Sequence, residues 1–302
     1  MNSGDGSLAG NAARLAGRAA LITGVSRRRG IGYAIATRLA SEGASVFVQH
    51  HAAHDADQPW GSDDLDAVRA GILERLAPHA RFGDLGADLA QPDAPAQVID
   101  AARAAIGRLD ILVCNHARSG GDGSIFDMTA DRLSGHFDVN ARSTLLLTRH
   151  FADQFSGVDV RDDADASRPG DVETTSGPFD EFATGRVIWM TSGQLLGPMR
   201  GEVAYAASKA ALASVTPTVA AELLGRGILL NTVNPGPVNT GYLDADTSDR
   251  APETVAEVLA SMPFGRFGQP DDVARLIAWL VSSEGRWTTG QVLTSDGGFS
   301  LT

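Results

Sequence analysis

The chain has 302 residues, of which 43% are hydrophobic, with 34 glycines, one cysteine and a formal net charge of −12. It is long enough to bury one substantial core, and no stretch approaches the roughly 18 uninterrupted apolar residues of a membrane span. The acidic balance argues against nucleic acid or an anionic membrane as partner. A single Cys114 within "LDILVC" argues for a reducing, cytoplasmic compartment without disulfides, and seven scattered histidines offer no zinc spacing, so no metal is expected.

Residues 1–16 read as a flexible tail with neither the apolar core nor the cleavage pattern of a signal peptide. From residue 17 onward, short apolar runs alternate with Ala/Leu-rich segments. The runs "RAALIT", "ASVFVQ", "ARFGDLGADL", "LDILVC", "GRVIWMTS", "GILLNTV" and "GQVLTSDGG" predict strands of a parallel sheet covered on both faces. Between them, residues 30–43, 93–107, 130–155, 203–227 and 270–285 predict helices that stop at or near glycine. The segment 156–184 carries eight acidic and two basic residues and lacks periodicity; it reads as a solvated, mobile acidic insertion. Residues 242–267 read as a mostly helical excursion and a substrate lid, with Met199, Tyr242, Met262 and Phe264 either lining an apolar pocket or packing among themselves.

The first strand runs into "TGVSRRRGIG", a glycine-rich turn opening a helix. Gly24 can turn the chain, Gly30 and Gly32 let backbone approach a pyrophosphate, and the helix start at Ile31 offers N–H donors and a favourable dipole. Three arginines, Arg27, Arg28 and Arg29, sit in this turn, and the second strand ends "VFVQHH" with no acid before Asp55. An NAD site wants an acid there for the ribose 2′-OH, whereas guanidinium groups suit a 2′-phosphate. The reading therefore favours NADP(H), with NAD(H) as the alternative, and relies mainly on Arg27 and Arg28.

Further along, "YAASKAAL" holds the chain's only lysine, Lys209, four residues after Tyr205. On a helix the two share a face. An ammonium beside a phenol is expected to lower the tyrosine pKa, making Tyr205 a general acid/base, and arginine would replace a compact, rotatable ammonium poorly.

Together these motifs resemble the short-chain dehydrogenase/reductase family over about residues 17–300, nearest its 3-oxoacyl-[acyl-carrier-protein] reductase-like branch. The resemblance implies a single Rossmann-type doubly wound α/β domain, 17–302, with a mostly parallel sheet of about seven strands. It implies that Ser192 in "MTSG" hydrogen-bonds the substrate oxygen and that Tyr205 exchanges a proton with it. Lys209 would hold the nicotinamide ribose and tune Tyr205, and Asn140 in "HFDVNARS" would fix a water in a proton relay. Cofactor contacts would come from Gly24, Ser26, Arg27, Arg28, Gly30, Ile31 and Gly32. Others would come from Asp88 and Leu89 on the adenine side, Asn115 after the fourth strand, and Pro235, Gly236, Val238 and Thr240 in "NPGPVNTG", besides Tyr205 and Lys209.

The sequence departs from the family in places. The turn reads TG-x5-GIG where TG-x3-GIG is commonest, and "CNHAR" replaces Asn-Asn-Ala-Gly, leaving His116 either to stack near the cofactor or to support the strand end. Pro217 falls in the predicted catalytic helix and should kink it or remove a hydrogen bond. Trp60, in a long stretch before Pro78, either packs over the nucleotide side or anchors at the surface. The implied activity is NADP-dependent hydride transfer between nicotinamide and a ketone or secondary alcohol, as a carbonyl or 3-oxoacyl-thioester reductase acting on a small molecule. The alternatives are an NAD-dependent alcohol or sugar dehydrogenase and a non-catalytic nucleotide-binding regulator. The resemblance also implies a homotetramer, with a dimer as the alternative.

Overall fold

The computed structural model describes residues 14–155, 185–248 and 250–302. The expected tail up to residue 13 and the acidic insertion at 156–184 lie outside the described residues.

All seven predicted strands form. They are β1 (Ala19–Thr23), β2 (Ser45–His50), β3 (Phe82–Gly86), β4 (Ile111–Cys114), β5 (Gly185–Met190), β6 (Ile228–Asn234) and β7 (Val292–Thr294). They make one sheet in the order β3-β2-β1-β4-β5-β6-β7, and every pairing is parallel. The order reverses between β1 and β4, so a crevice opens there at the carboxyl ends of the strands, where doubly wound folds place ligands.

Side chains alternate along each strand, and both faces are buried, which is why the runs read as continuously apolar. On one face Ala20, Ile22, Val46 and Val113 pack with Ile35 and Leu39 of α1 (Ile31–Ser41) and with a late helix at residues 270–281. On the other, Leu21, Phe47, Leu112 and Trp189 pack with residues 94–106, 143–152 and 203–224.

Two short helices occupy the long stretch after β2: α2 (Ala52–Ala56) and α3 (Leu65–Leu73). The α3 helix starts at Asp64, whose side chain accepts from Asp66 N, and buries Val68 and Ile72. α4 (Ala94–Ile106) follows β3.

The predicted helix at 130–155 is not one regular helix. It comprises α5 (Ala130–His136), a π-helical turn at Phe137–Arg142 and α6 (Ser143–Ala152), so the hydrophobic stripe is re-phased at Asn140. α7 (Val203–Leu224) runs unbroken through Pro217, which lies on an exposed face and cannot donate to the Ala213 carbonyl one turn earlier. Among the described residues of the 242–267 excursion, α8 (Pro252–Ala260) is the one regular helix, and α9 (Pro270–Val281) precedes β7. Among the described residues, no helix is long and apolar enough to cross a membrane.

Candidate active site

At the switch point the chain leaves β1 through Gly24, whose φ of +72° lies in the left-handed region. A Cβ at Gly24 would stand 2.7 Å from His116 Cα, and one at Gly32 would stand 2.5 Å from the Gly24 carbonyl oxygen. Both positions must therefore be bare for the turn to pack against β4. Gln49 secures the turn from the end of β2: its Oε1 accepts from Gly24 N at 3.0 Å and its Nε2 donates to Ala87 O at 2.7 Å. Asn115 Nδ2 donates to the carbonyls of Thr23 and Gly24 at 3.2 and 3.1 Å. Gly30 precedes α1, no side chain caps that helix, and its first turn holds no acid. A bare cradle facing an uncapped helix start fits a pyrophosphate group.

The arginines of this turn are each tied to an acid. Arg27 Nε lies 3.0 Å from Asp55 Oδ1, and its Nη1 donates to Thr240 O at 2.8 Å. Arg28 forms a two-pronged pair with Asp63, through Nε at 2.9 Å and Nη2 at 2.8 Å. Arg29 lies 2.5 Å from Asp244. The Arg28 pair holds the Asp63 carboxyl well below the usual range. Asp55 is buried, and it also accepts from Ser26 Oγ and from Trp60 Nε1, the latter at 3.4 Å. The sequence suggests bare positive charge beside a strand end without an acid, whereas the fold brings Asp55 and Asp63 onto it. Trp60 packs against Arg27, 5.5 Å from guanidinium to ring centroid, and edge-on to Tyr242 at 6.5 Å, so it belongs to this cluster.

The chemical residues meet where β5 ends and α7 begins. Ser192 follows β5 in extended conformation, and its side chain is near enough to the Tyr205 hydroxyl to favour the phenolate. Lys209, 2% exposed, lies one turn further along α7, with Nζ 5.9 Å from the Tyr205 ring centroid and donating to Met190 O at 2.9 Å. Thr191 Oγ1 donates to Lys209 O at 3.0 Å, tying the strand end to the helix.

Burial pushes the Tyr205 phenol up, with the neighbouring Ser192 hydroxyl pulling the other way, and burial brings Lys209 down to about 8. This corrects the expectation of a tyrosine lowered by its lysine. The Lys209 ammonium is directed at the Met190 carbonyl, and desolvation dominates at both groups.

Asn140 is fully buried in the π-helical turn. Its Oδ1 accepts from Arg118 N at 2.7 Å, and its Nδ2 donates to Arg118 O at 3.3 Å and to Ser208 Oγ at 2.9 Å. Ser208 Oγ in turn donates to Tyr205 O at 2.8 Å. The Asn140 side chain thus clamps the loop after β4 to α7, and its backbone carbonyl accepts from Thr144 Oγ1 at 2.9 Å.

His116 resolves to the supporting role. It is buried, with Nδ1 2.6 Å from Thr23 Oγ1 and Nε2 2.7 Å from Ser143 Oγ, and burial lowers its pKa to about 3, so it is neutral. Ser208, Thr191 and Asp122, which accepts from two N–H groups of the α7 first turn, are neighbours that sequence reasoning missed. Small polar residues in loops or helices carry no periodic signal.

The remaining expected positions lie around the crevice. Asp88 follows β3 and accepts from Ala90 N at 2.9 Å, and Leu89 beside it is buried. Ile31 opens α1. Pro235, Gly236, Val238 and Thr240 follow β6; Gly236 has φ +67°, and a Cβ there would stand 2.4 Å from Asp296 Cβ. Met262 and Phe264 line a cavity of about 220 Å³ together with Pro235 and Val238. Tyr242 instead faces Trp60 and, at 5.9 Å, the Arg250 guanidinium.

Comparisons with known proteins agree with this architecture. A family model described as enoyl-(acyl carrier protein) reductase matches residues 24–157 and 179–300. The uncharacterized oxidoreductase YjdA of Bacillus subtilis is 34% identical over 93% of this chain and 96% of its own. The 3-oxoacyl-[acyl-carrier-protein] reductase FabG of Thermotoga maritima is 28% identical over 95% of this chain and 100% of its own. A crystal structure of a short chain dehydrogenase from Burkholderia cenocepacia in complex with NADP superposes with a TM-score of 0.72, at 33% identity over 95% of this chain and 99% of that one. A parallel sheet with its crevice at the β1/β4 switch, matched along nearly its whole length by these relatives, places the chain in the short-chain dehydrogenase/reductase family of NAD(P)-dependent oxidoreductases.

Proposed function

We propose that the chain is an NADP-dependent carbonyl reductase, with 3-oxoacyl thioesters or related ketones as its substrate class. The observation that carries this reading is the convergence of Ser192, at the carboxyl edge of β5, and Tyr205, at the start of α7, with the buried Lys209 amine one helical turn away. A phenol kept protonated by burial is a proton donor at neutral pH. With a carbonyl oxygen between them, Ser192 Oγ donates a hydrogen bond and Tyr205 Oη delivers the proton that makes the alcohol. Lys209 Nζ, released from Met190 O, reaches ribose hydroxyls and stabilises the phenolate left behind. Asn140 holds α7 in register through Ser208. When bound, nicotinamide supplies the hydride to the carbonyl carbon.

Gly24, Gly30, Gly32 and the α1 amino terminus would hold the pyrophosphate, and Asp88, Leu89 and Asn115 the adenosine side. Pro235, Gly236, Val238 and Thr240 would hold the carboxamide side. NADP is favoured over NAD because Asp55 already accepts from Ser26, Arg27 and Trp60, while at the end of β2 Gln49 is occupied by Gly24 and Ala87 and His50 pairs with Asp84. No carboxylate of this cluster is left for a ribose diol, and a 2′-phosphate can compete with Asp55 and Asp63 for Arg27 and Arg28. The NADP held by the Burkholderia relative is consistent with this preference. The 28%-identical 3-oxoacyl reductase suggests the thioester class, a homo-oligomer is expected, and residues 242–267 are proposed as the substrate lid.

The test is NADPH oxidation across a panel of ketones and 3-oxoacyl thioesters, repeated with NADH. Tyr205→Phe is expected to lose about 10²-fold or more in kcat while still binding NADPH. Undiminished reduction by Tyr205→Phe refutes the mechanism, and a higher kcat/KM with NADH refutes the cofactor assignment.

A further inference from the structure

The first turn of α7 is capped from elsewhere in the chain. Glu202 stands at the N-cap position but contributes no capping side chain. Val203 N donates to Gly123 O at 3.2 Å. Ala204 N donates to Asp122 Oδ1 at 3.0 Å, and Tyr205 N to Asp122 Oδ2 at 2.7 Å, across 82 and 83 residues of sequence. One carboxylate therefore satisfies two of the N–H groups that a helix start leaves open, and its charge suits the positive end of the dipole.

The Asp122 side chain is 7% exposed and is itself fixed. Oδ1 also accepts from Gly123 N at 2.8 Å. His136 of α5, fully buried, brings Nε2 to 3.9 Å from Oδ2, while its Nδ1 engages Arg132 O at 3.0 Å. The backbone of Tyr205 is thus held on both sides, at its N–H by Asp122 and at its carbonyl by Ser208, which Asn140 anchors. Both holds lead back to the segment 118–123 after β4.

We propose that Asp122 is a positioning residue for the reduction, setting the height of the α7 first turn so that the Tyr205 hydroxyl meets Ser192. The inference rests on the reductase reading above. Asp122 acts through the backbone of Tyr205 and takes no part in proton or hydride transfer. Without it the first turn is free to fray, and a displacement near 1 Å at a reacting group is enough to cost on the order of a hundredfold in rate.

The experiment compares Asp122→Ala and Asp122→Asn with the parent. Gln269→Ala, which removes the capping residue of α9, serves as a control for lost helix capping in general. Asp122→Ala is expected to lower kcat by about tenfold to a hundredfold with the NADPH dissociation constant and substrate KM little changed. Asp122→Asn, which keeps one acceptor oxygen and the side-chain shape, is expected to fall between it and the parent, and it carries the test if the alanine variant does not fold. Amide hydrogen exchange at residues 203–205 is expected to accelerate in Asp122→Ala and stay slow in Gln269→Ala.

Unchanged exchange at these amides overturns the clamp whatever the activity. Accelerated exchange with unchanged kcat overturns the positioning role. An equal kcat loss in Gln269→Ala at the same loss of melting temperature reduces Asp122 to a general stability contribution and overturns it as well. A parent that reduces no carbonyl with either cofactor sinks the reductase reading first, and that result is read before any variant is compared.

Discussion

The two ends of the crevice are built on opposite plans. At the chemical end, Ser192, Tyr205 and Lys209 stand on a strand end and a long helix, and Lys209 is almost fully withdrawn from water. At the phosphate end, Arg27, Arg28 and Arg29 stand on a turn, more exposed, each satisfied by an acid drawn from a different segment. The first end is rigid and poised by desolvation. The second stores its positive charge in ion pairs, which on the proposed reading an incoming phosphate would exchange. Fixed geometry serves bond-making, where sub-ångström placement matters, and exchangeable pairs serve recognition of a charged ligand that arrives from solvent.

The largest effect expected to sharpen this contrast comes from Lys209→Arg. Charge is kept, but the larger planar head cannot sit against Met190 O in the same space, and ketone reduction should fall roughly tenfold to a hundredfold in steady-state assays. Retained activity would mean that the chemical end tolerates shape and is no more specialised than the phosphate end.

Next in size, Arg27→Ala should lower kcat/KM with NADPH by about tenfold while leaving NADH kinetics nearly unchanged. Equal losses with both cofactors would make Arg27 a structural tie between the glycine turn and Thr240. Gly24→Ala should cost roughly 1–3 kcal/mol of stability in thermal unfolding, because it places a Cβ in a left-handed backbone against His116, and it should also weaken cofactor binding.

The smallest effect concerns pH. Lys209 is held near 8 in the folded chain against an ordinary 10.5, so between these values the unfolded state binds the extra proton. Stability from this group is therefore fully present above 10.5 and is lost as pH falls through 8. Lys209→Met should raise the melting temperature at pH 7, with the gain shrinking as pH climbs from 8 toward 10.5. A gain independent of pH would show that Lys209 is not desolvated in solution.

The sequence made the chemical end legible because its information is local. Tyr205 and Lys209 share a helix face by spacing alone, Ser192 sits at a strand end, and continuously apolar strands announce a sheet buried on both faces. The phosphate end was half legible. The glycines follow from strand, turn and helix context, but the acids that neutralise the arginines come from Asp55, Asp63 and Asp244, whose approach depends on how α2, α3 and the loop after β6 fold back.

The π-helical turn was hidden for the same reason. Residues 130–155 carry an unbroken helical pattern, and the re-phasing at Asn140 accompanies its clamp on the Arg118 backbone, 22 residues earlier. Helix α3 had a visible start at Asp64 and a 65/68/72 apolar spacing. It is short and flanked by Asp, Gly and Pro residues, and the sequence reading assigned no element to this stretch.

The burial of Lys209 has one practical consequence. A protein surface ordinarily carries many side-chain amines, and reagents directed at amines report on all of them at once. This chain has a single side-chain amine, 2% exposed and with a proton affinity brought down to about 8. An isotope placed on lysine alone therefore gives one signal from beneath Tyr205 with no surface background.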